Sequence, residues 1–212
     1  MHTGRVAHID NLPAGAEVLG PSSAVCPGKM YTGTKGMQPH SAPRSMTEAD
    51  IAHAVDEYAH SARLAIEAGF DGVKLHGANG YLIEQFLNPI VNQRSEEQFL
   101  ALASDLSKIG LLYLHLVDHS AMGAPPVPAD FKIKLRAGFN SLFILCGGFD
   151  RAKAENALLE NRGDLVALGR PFLANPDLVA RLRTGARLNE PDMATFYTPG
   201  PKGYTDYPPL AV

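Results

Sequence analysis

Three short runs of this sequence place chemically capable residues at useful spacing. His76-x-x-Asn79, followed by Gly80-Tyr81, offers two donors that could grip a carbonyl or nitro oxygen and stabilise charge developing on it. The phenol of Tyr81 could donate a proton beside them. Gly147-Gly148 and Gly169-Arg170 each follow an apolar run. Glycines let backbone N–H groups approach an anion closely, and an arginine adds a charge-assisted contact to phosphate. Each run has an ordinary alternative. A lone His-x-x-Asn is common, a tyrosine opening a helix usually packs, and the glycines and Arg170 also read as turn residues and a solvated charge. His115, Asp118 and His119 are ligand types, but they surround a strand end with no further ligand evident, so no metal is expected. His53 and His60, seven apart on one helix, read as solvated. There is no G-x-G-x-x-G fingerprint, Walker loop or G-x-S-x-G elbow, and neither Cys26 nor Cys146 has a neighbouring base.

The elements that would position these residues alternate between helix and strand. Residues 1–44 hold many prolines and glycines and little periodicity, which predicts a long loop excursion. From Thr47, which with Asp50 forms a capping-box pattern, Ile51, Val55, Tyr58, Ala62 and Ile66 recur at helical spacing up to Gly69. A strand is expected at 72–76, a short helix from Tyr81 to Leu87 stopping near Pro89, and a helix from Ser95 to Gly110 with Gln98 completing its cap. Strands at 111–117, 141–146 and 164–168 alternate with helices at 129–138 and 151–161, the latter capped by Asp150 and ended by Gly163. Asn175 as N-cap, Pro176 and Gly185 frame a last helix before an irregular tail from 186. The chemistry-bearing residues fall where strands end, the edge on which parallel α/β architectures build their sites. One spacing is irregular: two helices separate the strands at 72–76 and 111–117, where regular alternation would place a strand near residue 94.

Composition narrows the class. A 45% hydrophobic chain with 19% charged residues is not disordered, and a net charge of −3 with so few basic residues argues against nucleic-acid binding. Two cysteines are too few for a disulfide framework, which predicts a reducing cytoplasmic setting. No secretory signal is read behind Met1, and the apolar stretch at 109–117 falls far short of the roughly 20 residues of a membrane helix. The 212 residues suffice for one domain but are short of the roughly 250 of a closed β/α barrel.

Read as motifs, these runs point further. Ser41-Ala42-Pro43-Arg44-Ser45-Met46-Thr47, the stretch from Ala68 through Gly77-Ala78-Asn79-Gly80-Tyr81 to Leu87, and Ala167-Leu168-Gly169-Arg170-Pro171-Phe172 through Val179 resemble, in order, the old yellow enzyme family of FMN-dependent ene-reductases. His2-Thr3-Gly4-Arg5, Phe196-Tyr197 and Gly203-Tyr204-Thr205-Asp206-Tyr207-Pro208 are similar to its signatures as well. The likeness covers nearly the whole chain and is strongest to the branch of N-ethylmaleimide, xenobiotic and glycerol trinitrate reductases.

The resemblance implies an α/β fold, a partial (β/α)8 TIM barrel lacking N-terminal strands and one internal βα unit. It makes a single incomplete domain of residues 1–212: the 1–44 excursion, βα units over 45–185 and a tail at 186–212. It implies that His76 and Asn79 bind the substrate oxygen, that Tyr81 protonates the α-carbon, and that Tyr197 lines the substrate pocket. Gly147, Gly148, Gly169 and Arg170 would hold the FMN phosphate, and NAD(P)H would reduce the flavin, which then passes hydride to an activated alkene or nitro compound. The family's strands one and two, and a βα unit after Asn92-Gln93-Arg94, have no counterpart here. Open sheet edges favour self-association, and a non-catalytic remnant that keeps only a phosphate-binding edge is the competing expectation. An unrelated phosphate-binding aldolase or isomerase is disfavoured, because no lysine stands at a strand end.

Overall fold

The computed structural model describes residues 2–87 and 95–210. The chain divides into two compact units, residues 1–98 and 99–212.

The first unit opens with short strands rather than one continuous loop. β1 (Leu19–Gly20) pairs in parallel with β4 (Arg44–Ser45), and between them β2 (Lys29–Thr32) and β3 (Gly36–Pro39) form an antiparallel hairpin. The expected loop excursion is therefore partly ordered: the buried Thr32 hydroxyl donates to the Gly36 carbonyl (3.0 Å) and closes the turn. α1 (Glu48–Glu67) begins at the anticipated capping box, where Thr47 Oγ1 accepts from Asp50 N–H and the Asp50 carboxylate accepts from Thr47 N–H at 2.7 Å. Arg44 Nη1 grips the same carboxylate at 2.8 Å, and with the Thr47 contacts it holds Asp50 well below the usual carboxylate range. The apolar periodicity of α1 does not seal a core. Ala54 is its one buried residue, and Val55 is 60% exposed. The strand expected at 72–76 does not form: the segment has no ladder partner among the described residues, and Val73 and Leu75 stand 50% and 54% exposed. Without a ladder to pair its backbone groups, an apolar run is not held as a strand. α2 (Leu82–Leu87) follows; its expected stop at Pro89 and the irregular spacing near residue 94 lie outside the described residues.

α3 (Ser95–Lys108) leads into the second unit, whose centre is a parallel sheet of β5 (Tyr113–Val117), β6 (Leu142–Cys146) and β7 (Leu165–Ala167), in that order. α4 (Ala129–Ala137) and α5 (Arg151–Leu159) make the crossovers. Alternation along β6 turns Phe143 and Leu145 onto one face, where they meet Ala103 of α3, Phe131 and Leu135 of α4, Phe139 from the turn before β6, and Ala157 of α5. Asp150 caps α5 as expected, accepting from Lys153 N–H at 2.8 Å. The helix ends at Glu160 and Asn161 rather than at Gly163. Gly163 serves packing: a Cβ there would lie 2.8 Å from Leu145 Cγ.

After β7 come α6 (Arg170–Ala174) and α7 (Leu178–Thr184), the latter closed by Gly185 in the left-handed region. Asn175 is not the N-cap of α7. Asp177 takes that position, and the Asn175 side chain is buried, donating to the Pro171 and Asn189 carbonyls and accepting from Asn189 N–H. A fully buried amide finds partners wherever the tail supplies them, and here that outweighs a cap. The uneven burial yields a direct check by urea unfolding. Phe143→Ala costs about 3–5 kcal/mol, whereas Val55→Ala, on the uncovered face of α1, costs less than about 0.5 kcal/mol; equal costs would contradict this placement of the core.

Candidate active site

In the first unit, the loop between residue 76 and α2 carries three of the candidate residues. The His76 and Tyr81 rings are half-buried with centroids 5.5 Å apart, tilted by 57°. Asn79 adopts φ +60° and Gly80 φ +76°, a pair of left-handed residues that turns the chain sharply before Tyr81. Two side chains of α2 hold that turn: Glu84 Oε2 accepts from Gly80 N–H at 2.6 Å, and Gln85 Nε2 donates to the Gly80 carbonyl at 2.6 Å. Gln85 also accepts from Arg5 N–H (3.0 Å) and donates to the Thr3 carbonyl (3.0 Å). The His2-Thr3-Gly4-Arg5 segment is thereby tied to the turn. Gly4 packs so closely on Gln85 that only a residue without Cβ fits there. Two donors and a phenol thus sit on one braced loop.

In the second unit, the remaining candidates gather at the C-terminal edge of the sheet. Register pairs Val117 with Cys146 and Cys146 with Ala167, so the residues after the three strands lie side by side. The Gly147 and Gly148 conformations (φ +147° and +62°) are required by the chain itself. A Cβ on Gly147 would lie 2.5 Å from the Asp118 carbonyl oxygen, and one on Gly148 would lie 2.5 Å from Ala121 Cβ. Having met Asp118 and Ala121 in this way, the glycine loop leaves its own N–H groups open. Those of Gly147, Gly148 and Gly169 make no backbone hydrogen bond among the described residues. The Arg170 guanidinium, first residue of α6, likewise has no hydrogen bond or ion pair among them. Open donors and an uncompensated cation at one sheet edge are the chemistry of an anion site.

Tyr197 stands apart from this edge in accessibility. It is 95% exposed, held at φ +64° with its N–H donating to the Tyr204 hydroxyl (2.8 Å) and its ring edge-on to Phe196 at 6.4 Å.

Comparison with known proteins assigns the family. The model for "NADH:flavin oxidoreductase / NADH oxidase family" matches residues 1–99 and 105–189. The chain belongs to that family. It is 34% identical over 259 aligned positions to 12-oxophytodienoate reductase 1 of Oryza sativa subsp. japonica, covering 98% of this chain and 67% of the relative. It is 35% identical to chanoclavine-I aldehyde reductase of Penicillium roqueforti (strain FM164), covering 78% and 60%. Morphinone reductase superposes with a TM-score of 0.90 at 32% identity, over 99% of this chain and 70% of that one. The chain is thus a partial α/β TIM barrel of the old yellow enzyme family. The alignment to the rice relative has more positions than this chain has residues, so part of the matched relative has no counterpart here. The two pieces matched by the family model break at 99–105, beside the boundary of the compact units.

Two structural residues of the site escape motif reading. Gln85 looks like one more polar residue on a short helix, and its partners lie about 80 positions away. Asp118, expected only as a poor metal ligand, is buried at the end of β5, where its carboxylate pairs with Lys132 of α4 and accepts from Ser120 N–H. Burial raises its pKa, but the Lys132 ammonium and the Ser120 hydrogen bonds outweigh that and hold it at about 2. Its folded value lies below the ordinary 3.8, so the pair stabilises the fold above about pH 4, and that stability is lost as pH falls toward 2. Asp118→Asn should therefore cost on the order of 2 kcal/mol at pH 7 and progressively less between pH 4 and 2, read from urea melts. A cost independent of pH would show that the pair does not set this edge.

Proposed function

We propose that this chain acts as an FMN-dependent oxidoreductase that uses NAD(P)H to reduce activated alkenes, such as enones and maleimides, or nitro and nitrate-ester compounds. The observation that carries the reading is the edge after β6 and β7, where N–H groups and an arginine, Arg170, that have no hydrogen-bond partner among the described residues follow neighbouring strands. These residues fit a flavin phosphate: Gly147, Gly148, Gly169 and Arg170 would hold it, and the missing side chain at Gly169 leaves open space above the backbone. FMN, when bound and reduced by NAD(P)H, supplies the hydride.

The chain's own residues do the rest. His76 and Asn79 hold the substrate's carbonyl or nitro oxygen and withdraw electron density from the conjugated bond. Tyr81, whose ring is fixed against His76, donates its hydroxyl proton to the α-carbon. Tyr197, already held in a strained backbone conformation, forms part of the substrate wall. Support comes from the family match and from relatives that are themselves named as reductases of small molecules; one morphinone reductase structure contains tetrahydroNAD. No described helix is long and apolar enough to cross a membrane. We read residues 1–212 as one incomplete barrel domain, and the edge strands of a partial sheet favour self-association.

The competing reading, a non-catalytic remnant that retains only the phosphate-binding edge, is favoured by one observation: the segment before His76 is exposed and is not a strand. Expression with FMN, desalting and a visible spectrum separate the two. A stoichiometric flavin band is the expected result, and its absence would leave only the remnant. In the flavin-loaded chain, Tyr81→Phe should slow the alkene half-reaction roughly 10²-fold while sparing flavin reduction by NADPH. Equal loss in both half-reactions would remove Tyr81 as the proton donor.

A further inference from the structure

The Asn79–Tyr81 turn is held by a side chain that touches no candidate catalytic group. Gln85 is 2% exposed, and its amide uses its oxygen once and its nitrogen twice. Its oxygen takes Arg5 N–H, and its nitrogen serves both the Thr3 and Gly80 carbonyls. Only an amide offers an acceptor and two donors from one planar end. Its backbone N–H donates to the Tyr81 carbonyl at 2.9 Å, so the same residue meets the turn twice. Glu84 holds the other side of the Gly80 peptide.

We propose that Gln85 is the positioning residue for Tyr81 and Asn79. By fixing the Gly80 carbonyl against the Thr3–Arg5 segment, it sets the left-handed turn and aims the phenol and the amide that flank it. This rests on the reading of Tyr81 as proton donor and adds the residue that orients it. Misplacement of a reacting group by about 1 Å costs up to two orders of magnitude in rate, so a peptide clamp one residue away from Tyr81 is well placed to control the step.

In the full chain, Gln85→Leu should shift the ring resonances of both His76 and Tyr81 in carbon-edited NMR spectra. Loaded with FMN, the same variant should run the alkene half-reaction roughly tenfold or more slowly, with flavin reduction by NADPH unchanged. Should that variant not fold, Gln85→Glu keeps an acceptor for Arg5 but lacks the two amide donors, and it should produce the same pair of changes. Unmoved His76 and Tyr81 resonances in a folded variant, or an alkene rate equal to the parent's, would overturn the positioning role. If neither variant folds, Gln85 is architectural only and the proposal falls. Tyr81→Phe run alongside isolates the underlying reading: an unchanged alkene rate there sinks the proton-donor role, while the resonance shifts still decide Gln85.

Discussion

Strand β6 is hydrogen-bonded to a parallel neighbour on each side, and the edge proposed to bind an anion depends on that double pairing. Its ladder brings the ends of β5, β6 and β7 level, so that Asp118, Gly147 and Leu168 begin their loops side by side. The two glycines can follow the strand only because neither carries a Cβ, and their N–H groups make no backbone hydrogen bond among the described residues. Asp118 is in turn fixed by Lys132 from the crossover helix α4. Pairing, close packing and a part-buried ion pair thus shape the edge at which Gly147, Gly148 and Arg170 follow their strands.

The same rule explains where order fails. Residues 72–76 have the composition of a strand but no ladder partner among the described residues, and residues 72–75 are exposed. α1 has a clear apolar periodicity with one buried residue, because the periodicity encodes a face without supplying the surface that covers it. In the family's barrel such a strand and helix would be flanked by further βα units. The likeness to morphinone reductase covers 99% of this chain but 70% of that protein, so part of the matched protein has no counterpart here.

Much of this was legible in the residues. The Thr47–Asp50 capping box, the Asp150 cap, the Gly185 stop and the three strands of the second unit are local signals, decided within a few residues, and they stand where the pattern puts them. The family motifs identified His76, Asn79 and Tyr81 as one group, and the structure places them on one braced loop. What local pattern could not carry was tertiary. Asn175 has the look of a cap, but it is claimed by the Pro171 carbonyl of α6 and by Asn189 of the tail, and Gln85 reaches back to Thr3 and Arg5. The hairpin at 29–39 lacked a strong alternation of apolar and polar residues and so read as loop.

The proposed phosphate edge lies whole within one compact unit. Riboflavin differs from FMN only in lacking the phosphate, so titrating the full chain with each ligand by flavin fluorescence isolates that edge. The account predicts that FMN binds at least about tenfold more tightly than riboflavin, a difference of roughly 1.4 kcal/mol, and that Arg170→Ala removes most of the difference. Equal affinities for the two flavins, or a preference that survives the loss of Arg170, would contradict it.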